Sequence, residues 1–463
     1  MFDLRTRERV VLGVTIFTIA LGAASLSWAQ EAINPLEEPT PSSVDQVTTP
    51  MERSFKEKPE KVVLFPRLKE ELKDAPPFFR DTKLDFKFRT YYFYDNNHVN
   101  DTISEAWALG GAISYRSGWF LDRFALGSVL YTSQRLYGPD DRDGTELLKP
   151  GQHGYTVVGQ IYGRVKLFED LFLNLYRYEY DTPYLNKDDS RMTPNTFEGY
   201  TFMGGVGGKE GSPGVKYGGG YITKIKEQNS DHFVWMSQVA GAEVKRGVTL
   251  GGALFSYGRF SIGAIDYYSD DIINIGYAEA KYTLPVTDRL GVLLATQFTD
   301  QRSVGSDLLT GSSFETHQWG VKTGISYEGA ILTLGYTENS NEANIQNPWS
   351  SYPGYTSAQV IDFKNAGQKA FSTQVSFDFR RFGLQGVTAY GLFVHGWGSI
   401  DPSTKAPAPD SNEFDVDFYW QPSWKFLKGL SFRTRYGVVY QYESPKKYTH
   451  ELRLIINYDL PLL

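Results

Sequence analysis

Basic side chains recur at every second position near both ends of the chain, and this spacing could bind anions. The residues are Lys87, Arg89, Arg433, Arg435 and Arg453. Arginine presents five N–H donors in a planar fork that matches a carboxylate. A column of such groups in a narrow, low-dielectric passage would concentrate anions and hand a carboxylate from one guanidinium to the next.

Other charged residues follow the same alternation. Three further basic residues could extend the column, namely Arg116, Arg164 and Lys166. Three acidic residues oppose it in part, namely Glu413, Asp415 and Asp417. Asp417 and Arg435 lie nearly opposite each other across a short connection, so they could pair and stiffen the wall instead of binding a solute. Both interpretations stay open.

Catalytic and metal chemistry find little support in the composition. The chain has no cysteine, which excludes disulfides and thiolate chemistry, and its six histidines lie in no recognisable catalytic motif. We therefore expect no enzyme activity and no cofactor. The net charge of -7 over 463 residues is mild and does not suggest nucleic-acid binding.

The elements that carry these charges read as membrane-crossing β-strands. In segment 413–420, Phe414, Val416, Phe418 and Trp420 share one face, whereas the acidic residues share the other. One face suits lipid and the other suits water, and a soluble sandwich would not need charges on its hidden face. No run of 18 apolar residues follows the N-terminal apolar segment. The rest of the chain could therefore span a bilayer only as a closed barrel.

Segments of this kind predict an all-β, antiparallel, up-and-down transmembrane β-barrel of about eighteen strands with inward-folded loops. The predicted strands are 83–94, 105–117, 122–134, 153–167, 170–180, 197–205, 215–226, 247–256, 259–268, 272–283, 289–300, 315–327, 330–338, 369–380, 386–396, 412–424, 429–441 and 448–460. Short and long connections mostly alternate, which places the short turns in the periplasm and the long loops outside. Closure sets the last strand beside the first, so the basic residues of both chain ends form one wall.

The N-terminal part is predicted to comprise two segments that precede the barrel. Residues 1–29 resemble an export signal, with arginines, an apolar run and small residues before a cleavage site after Ala29, although a single membrane anchor is the alternative. Residues 30–77 are rich in Pro, Glu, Lys, Ser and Thr and are predicted to be a disordered periplasmic extension. Docking of that extension to a periplasmic partner is the alternative, and residues 78–463 form the predicted barrel.

Two loops, 181–196 and 339–368, carry aromatic residues and proline instead of a solvated polar composition. Apolar content in a loop indicates packing, here against the inner wall, which would narrow the lumen. Packing on neighbouring surface loops is the alternative.

Segments 78–93, 189–199 and 451–458 resemble the OprD-type family of substrate-specific porins, and the resemblance extends over residues 78–463. It implies a monomeric barrel whose third and seventh loops fold inward, with a ladder of basic residues that guides carboxylate-bearing solutes. Carried onto this chain, it gives constriction residues Asp189, Ser190 and Arg191 in the third loop and Ser350, Ser351 and Tyr352 in the seventh. The chain departs from outer-membrane barrels in ending Pro461-Leu462-Leu463, without a terminal aromatic residue.

The expected function is passive diffusion of amino acids, short peptides or aromatic acids through a porin exported to a Gram-negative outer membrane. Such a barrel would contact outer-membrane lipid and lipopolysaccharide, and the sequence leaves open whether it is a monomer or a trimer. A general porin, and an adhesin or receptor acting through the extracellular loops, are the alternatives. An energised transporter is disfavoured because the segment before the first strand is too short for a plug domain.

Overall fold

Strands that alternate between a polar and an apolar face account for most of the chain. The computed structural model describes residues 63–208, 212–424, 427–443 and 447–463. The eighteen long strands are β1 (Lys83–Asn97), β2 (Thr102–Arg116), β3 (Phe124–Tyr137), β4 (Tyr155–Phe168), β5 (Leu171–Tyr178), β6 (Thr196–Gly207), β7 (Gly214–Lys226), β8 (Val248–Tyr257), β9 (Phe260–Ser269), β10 (Ile273–Pro285), β11 (Leu290–Arg302), β12 (Glu315–Tyr327), β13 (Ala330–Asn339), β14 (Lys369–Asp378), β15 (Val387–Trp397), β16 (Ser411–Trp420), β17 (Leu430–Gln441) and β18 (Lys447–Pro461).

These strands form one closed antiparallel barrel. Each pairs with its neighbours in the sequence, and β1 also pairs with β18, with Arg89 opposite Asn457 and Phe93 opposite Arg453. The predicted eighteen-strand barrel and the adjacency of the two chain ends are therefore confirmed. A two-residue strand, Val234–Trp235, extends the pairing of β7 and was not predicted from the sequence.

Exposure of the β16 side chains shows which face of the strand points out of the barrel and which points into the lumen. Phe414, Val416 and Phe418 are 46%, 41% and 44% exposed on the outside of the barrel. Glu413 and Asp415, which point inward, are 0% and 1% exposed. The alternation thus turns the apolar face outward, as a lipid-facing wall requires.

The N-terminal extension contains helical structure in the part that the structure describes, whereas disorder was predicted. Residues 63–77 fall in the predicted disordered extension, yet they include helix α1 (Pro66–Glu71), and helix α2 (Pro77–Arg80) follows. The backbone N–H of Leu64 donates to the carbonyl of Pro461 at 2.9 Å, so this segment is tied to the end of β18. The predicted signal peptide and residues 30–62 lie outside the described residues. No helix among the described residues is long and apolar enough to cross a bilayer.

Close approach of β1 and β2 depends on Gly111. Its φ is +137°, and a Cβ built on it would lie 1.9 Å from the carbonyl oxygen of Lys87. We expect Gly111→Ala to lower the free energy of unfolding by about 3 kcal/mol, because the methyl group overpacks the pairing. Gly251→Ala is the control, since its Cβ would meet nothing within 4 Å. Urea unfolding of the refolded proteins checks this, and equal stabilities would contradict it.

Candidate functional site in the barrel lumen

The third and seventh loops fold into the barrel and meet there. The third loop covers residues 179–195 and the seventh covers residues 340–368. Tyr184 and Leu185 of the third loop share one buried cluster with Trp349 and Tyr352 of the seventh. The same cluster includes inward side chains of the wall, such as Tyr277 on β10. The predicted inward folding of both loops is therefore confirmed.

Hydrogen bonds fix the two loops to each other. Ser350 Oγ accepts from the backbone N–H of Asn186 at 2.8 Å and donates to the carbonyl of Tyr184 at 3.1 Å. Ser351 Oγ donates to Asn186 Oδ1 at 2.9 Å. Ser350 and Ser351, expected at the constriction, thus act on the third loop as its anchors.

Arg89 ties the third loop to β1. Its Nη1 donates to Asp189 Oδ1 at 2.7 Å and to the carbonyl of Arg191 at 2.5 Å, while Nη2 lies 3.1 Å from Asp189 Oδ2. Its Nε donates to Asn457 Oδ1 on β18 at 2.8 Å. Tyr91, two residues along the same face, donates to the carbonyl of Ser190 at 3.1 Å. The loop tip therefore rests on the basic wall.

The barrel brings the remaining basic residues of the chain ends together on β17 and β18. Arg435 lies opposite Arg453 in the strand register. Asp417 binds both neighbouring arginines, with Oδ2 2.8 Å from Arg433 Nη2 and 2.9 Å from Arg435 Nε. Arg453 Nε donates to Glu451 Oε1 at 2.6 Å. Asp417 thus pairs with Arg435, which was one of the two interpretations that the sequence left open, and the wall contains both cations and carboxylates.

The basic residues on the first strands are distributed differently. Lys87 faces inward opposite Ala112 of β2 and Asp459 of β18. Arg116 lies 3.5 Å from Asp85, and Lys166 lies 3.1 Å from Asp122 in the turn between β2 and β3.

Arg164 stands apart from the other basic residues. It is 6% exposed, and no carboxylate of the described residues lies within ion-pair distance. Its guanidinium carbon lies 5.0 Å from the centre of the Phe172 ring, and its Nε has no hydrogen-bond partner. The facing residue on β5, Asn174, is fully buried, and neither of its amide atoms has a partner. These two side chains form a second polar position on the wall, away from β17 and β18.

Two of the acidic residues do not face an open lumen. Glu413 and Asp415 accept hydrogen bonds from the backbone of the seventh loop, whereas Asp417 binds arginines. All three lie beside the basic column on the adjacent strand β16.

Burial changes the acidity of groups in both loops. It raises the pKa of Glu179 and of Asp188, although the ammonium of Lys187 opposes this for Glu179 and a hydrogen bond from Ser190 opposes it for Asp188. Burial also raises the pKa of the Tyr352 hydroxyl.

Sequence reasoning missed several residues of this site. Glu451 occupies the same face as Arg453 two positions earlier, a signal that alternation could have used. Residues 359–361 carried no such signal, since their role comes from the loop backbone. No group of His, Cys, Asp and Glu within the described parts of the chain is suited to bind a metal ion.

A closed antiparallel barrel with apolar residues outside, charges inside and two loops folded into its lumen is the architecture of an outer-membrane channel. The profile described as "outer membrane porin, OprD family" matches residues 76–462. The chain belongs to the OprD family of outer-membrane porins, which makes it a channel of the Gram-negative outer membrane and not an enzyme. No curated protein sequence is significantly similar to it.

Solved structures share this fold at low sequence identity. OccK9 (OpdG) of Pseudomonas aeruginosa has a TM-score of 0.74 at 21% identity, with 84% of this chain and 100% of that chain covered. OccAB3 of Acinetobacter baumannii has a TM-score of 0.74 at 18% identity, with 82% and 99% covered. OpdK of Pseudomonas aeruginosa, solved with vanillate, has a TM-score of 0.70 at 18% identity, with 83% and 100% covered.

Proposed function

We propose that this porin conducts small carboxylate-bearing solutes, namely amino acids, short peptides or aromatic acids, along the wall of β17, β18 and β1. The observation that carries the proposal is the alignment of Arg433, Arg435 and Arg453 on two paired strands, with Arg89 on the next strand. The vanillate bound to OpdK, an aromatic carboxylate, supports aromatic acids as candidates.

Pairing with acidic residues does not occupy all the hydrogen-bond donors of these arginines. A guanidinium has five N–H donors, and Asp417 engages only Nε and Nη2 of Arg433. A passing carboxylate can therefore bind the remaining donors without the internal ion pair breaking completely. Weak binding at several successive positions allows entry and exit, which a conducting pore requires.

The parts of the chain around the barrel complete the proposal. Residues 1–29 serve as the export signal, residues 30–77 as a periplasmic extension and residues 78–463 as the porin domain, with lipid and lipopolysaccharide around the barrel. Cleavage after Ala29 is tested by N-terminal sequencing of the protein from purified outer membranes.

Liposome swelling tests the solute class. Proteoliposomes are placed in isotonic solutions of benzoate, of a neutral sugar of similar size and of a quaternary ammonium salt. We expect the carboxylate to enter fastest, because the basic wall favours anions. Equal rates for all three would make the protein a general porin, and no swelling with folded protein would contradict transport.

Arg164 is expected to bind solute, because no carboxylate within the described ranges forms an ion pair with its buried guanidinium. Arg164→Gln should weaken block of the current by benzoate about tenfold, since a hydrogen bond to a charged group contributes about 1.5–3 kcal/mol. Lys166→Gln, two residues along the same face, should have a smaller effect because its ammonium already binds Asp122. Single-channel titration measures both, and a larger effect at Lys166 would contradict this assignment.

A further inference from the structure

Three consecutive backbone N–H groups of the seventh loop point at two carboxylates on the barrel wall. Val360 N donates to Glu413 Oε1 at 2.6 Å, and Ile361 N donates to Glu413 Oε2 at 2.9 Å. Gln359 N donates to Asp415 Oδ2 at 3.0 Å. Successive N–H groups that converge in this way form a concave anion-binding site in the backbone. Here the anions belong to the barrel itself.

These carboxylates depend on the loop for their stabilisation. Glu413 and Asp415 are 0% and 1% exposed, and no basic side chain within the described ranges forms an ion pair with either. Asp417, at the next inward position of β16, is instead bound by two arginines. A buried carboxylate is costly unless donors compensate for lost hydration. The loop backbone supplies to Glu413 and Asp415 what arginine supplies to Asp417.

The neighbouring strands complete the attachment of the same loop segment. Arg453 Nη2 donates to the carbonyl of Gln359 at 3.1 Å, and Gln359 Nε2 donates to Glu451 Oε1 at 2.8 Å. Gly437 on β17 leaves room for the loop, since a Cβ built there would lie 3.1 Å from Val360 Cγ2 and 2.8 Å from Asp415 Oδ1. The loop therefore lies directly on the wall at this point.

We propose that Glu413 and Asp415 are positioning residues of the constriction. They hold segment 359–361 against the wall and thereby fix how far the seventh loop extends into the lumen. Their carboxylates set the pore cross-section through the loop backbone and do not serve as binding groups for solute. This role depends on one part of the proposed function, namely that solutes cross the lumen.

The double variant Glu413→Gln/Asp415→Asn tests the role. The Glu413→Gln amide keeps one acceptor oxygen but turns its NH₂ donor toward the N–H of Val360 or Ile361, which it cannot bond. The Asp415→Asn amide can still accept from Gln359 N, but it loses the negative charge that strengthens this bond. We expect single-channel conductance to rise at least about twofold, because conductance follows the pore diameter. Neutral saccharides that the unmodified protein excludes should then pass. Asp378→Asn is the control for loss of one buried carboxylate, since Asp378 lies on β14 and its side chain accepts a hydrogen bond from the backbone N–H of Arg380.

A steric variant separates loop position from charge. Gly437→Val changes no charge but places methyl groups where residues 359 and 360 lie, so it should widen the channel in the same direction as the double variant. Heat-modifiable migration on gels confirms that each barrel is folded. Wild-type conductance and saccharide exclusion in both folded variants would overturn the proposal.

Labelling of a single thiol distinguishes this role from the transport function itself. Because the chain has no cysteine, Val360→Cys gives one reactive site on the loop. Combined with Glu413→Gln/Asp415→Asn, it should react with a water-soluble maleimide about tenfold faster, since lost hydrogen bonds to charged groups favour local opening. Faster labelling in a protein that conducts nothing would support the positioning role and contradict the proposed transport. Unchanged labelling would contradict the positioning role.

Discussion

Replacing Arg433 and Arg435 together by glutamine is expected to weaken benzoate block of the channel roughly a hundredfold. Each lost hydrogen bond between a guanidinium and a carboxylate removes about 1.5–3 kcal/mol, and two arginines are lost. The substitution also leaves Asp417, which is 3% exposed, without a cation, so the wall becomes locally acidic and repels anions. The measurement is the benzoate concentration that halves the single-channel current.

The matched control is Arg289→Gln/Arg381→Gln. These two arginines also share one carboxylate, that of Glu328, but they lie in exposed turns outside the lumen. Their loss should leave benzoate block within about twofold of wild type, since exposed pairs contribute little. An equal loss in both double variants would contradict a specific role for β17.

Trp349→Ala is expected to enlarge the pore through the junction of the two inward loops. Trp349 is 1% exposed, and its Nε1 donates at 3.0 Å to the carbonyl of Met236 in helix α3 (Met236–Val239). Removing a buried tryptophan side chain costs about 3–5 kcal/mol of local packing, which is enough to release a loop. We expect conductance to rise at least about twofold and discrimination between benzoate and neutral sugars to fall, because the diameter increases.

The control for that variant is a tryptophan on the outer surface of the barrel. Trp319 on β12 is 40% exposed on the outer surface, and its ring centre lies 5.3 Å from that of Tyr336 on β13. Trp319→Ala should leave conductance and discrimination as in wild type once the protein is folded in bilayers. Wild-type discrimination in Trp349→Ala would show that the loops keep their positions without this anchor.

The barrel could be predicted from the sequence because one physical rule acts along the whole chain. A wall between lipid and water requires a period of two, and segment 413–420 shows it with apolar residues on one face and carboxylates on the other. The same rule placed β18 beside β1, since closure follows once the strands are counted. The end of β16 was less well predicted, because the segment to residue 424 alternates less clearly than the strand that ends at Trp420.

The candidate site could be predicted only in part. Its strand residues follow from alternation, and the resemblance placed Asp189 in the third loop. The contact between Arg89 and Asp189 joins positions 100 residues apart, and that between Gln359 and Asp415 joins positions 56 apart. Such contacts depend on the path of a long loop, which no local pattern specifies. Every residue type except proline carries a backbone N–H donor like those of residues 359–361, so side-chain types could not reveal this role.

The zero-current potential of the wild-type channel tests the central proposal most directly. One channel is recorded across a gradient of potassium chloride and then with benzoate in place of chloride. If the basic wall conducts carboxylates, the zero-current potential has the sign of an anion-selective channel. The benzoate current then saturates as the benzoate concentration rises. A cation-selective potential, with a benzoate current that rises linearly or is absent, would contradict carboxylate conduction along β17, β18 and β1.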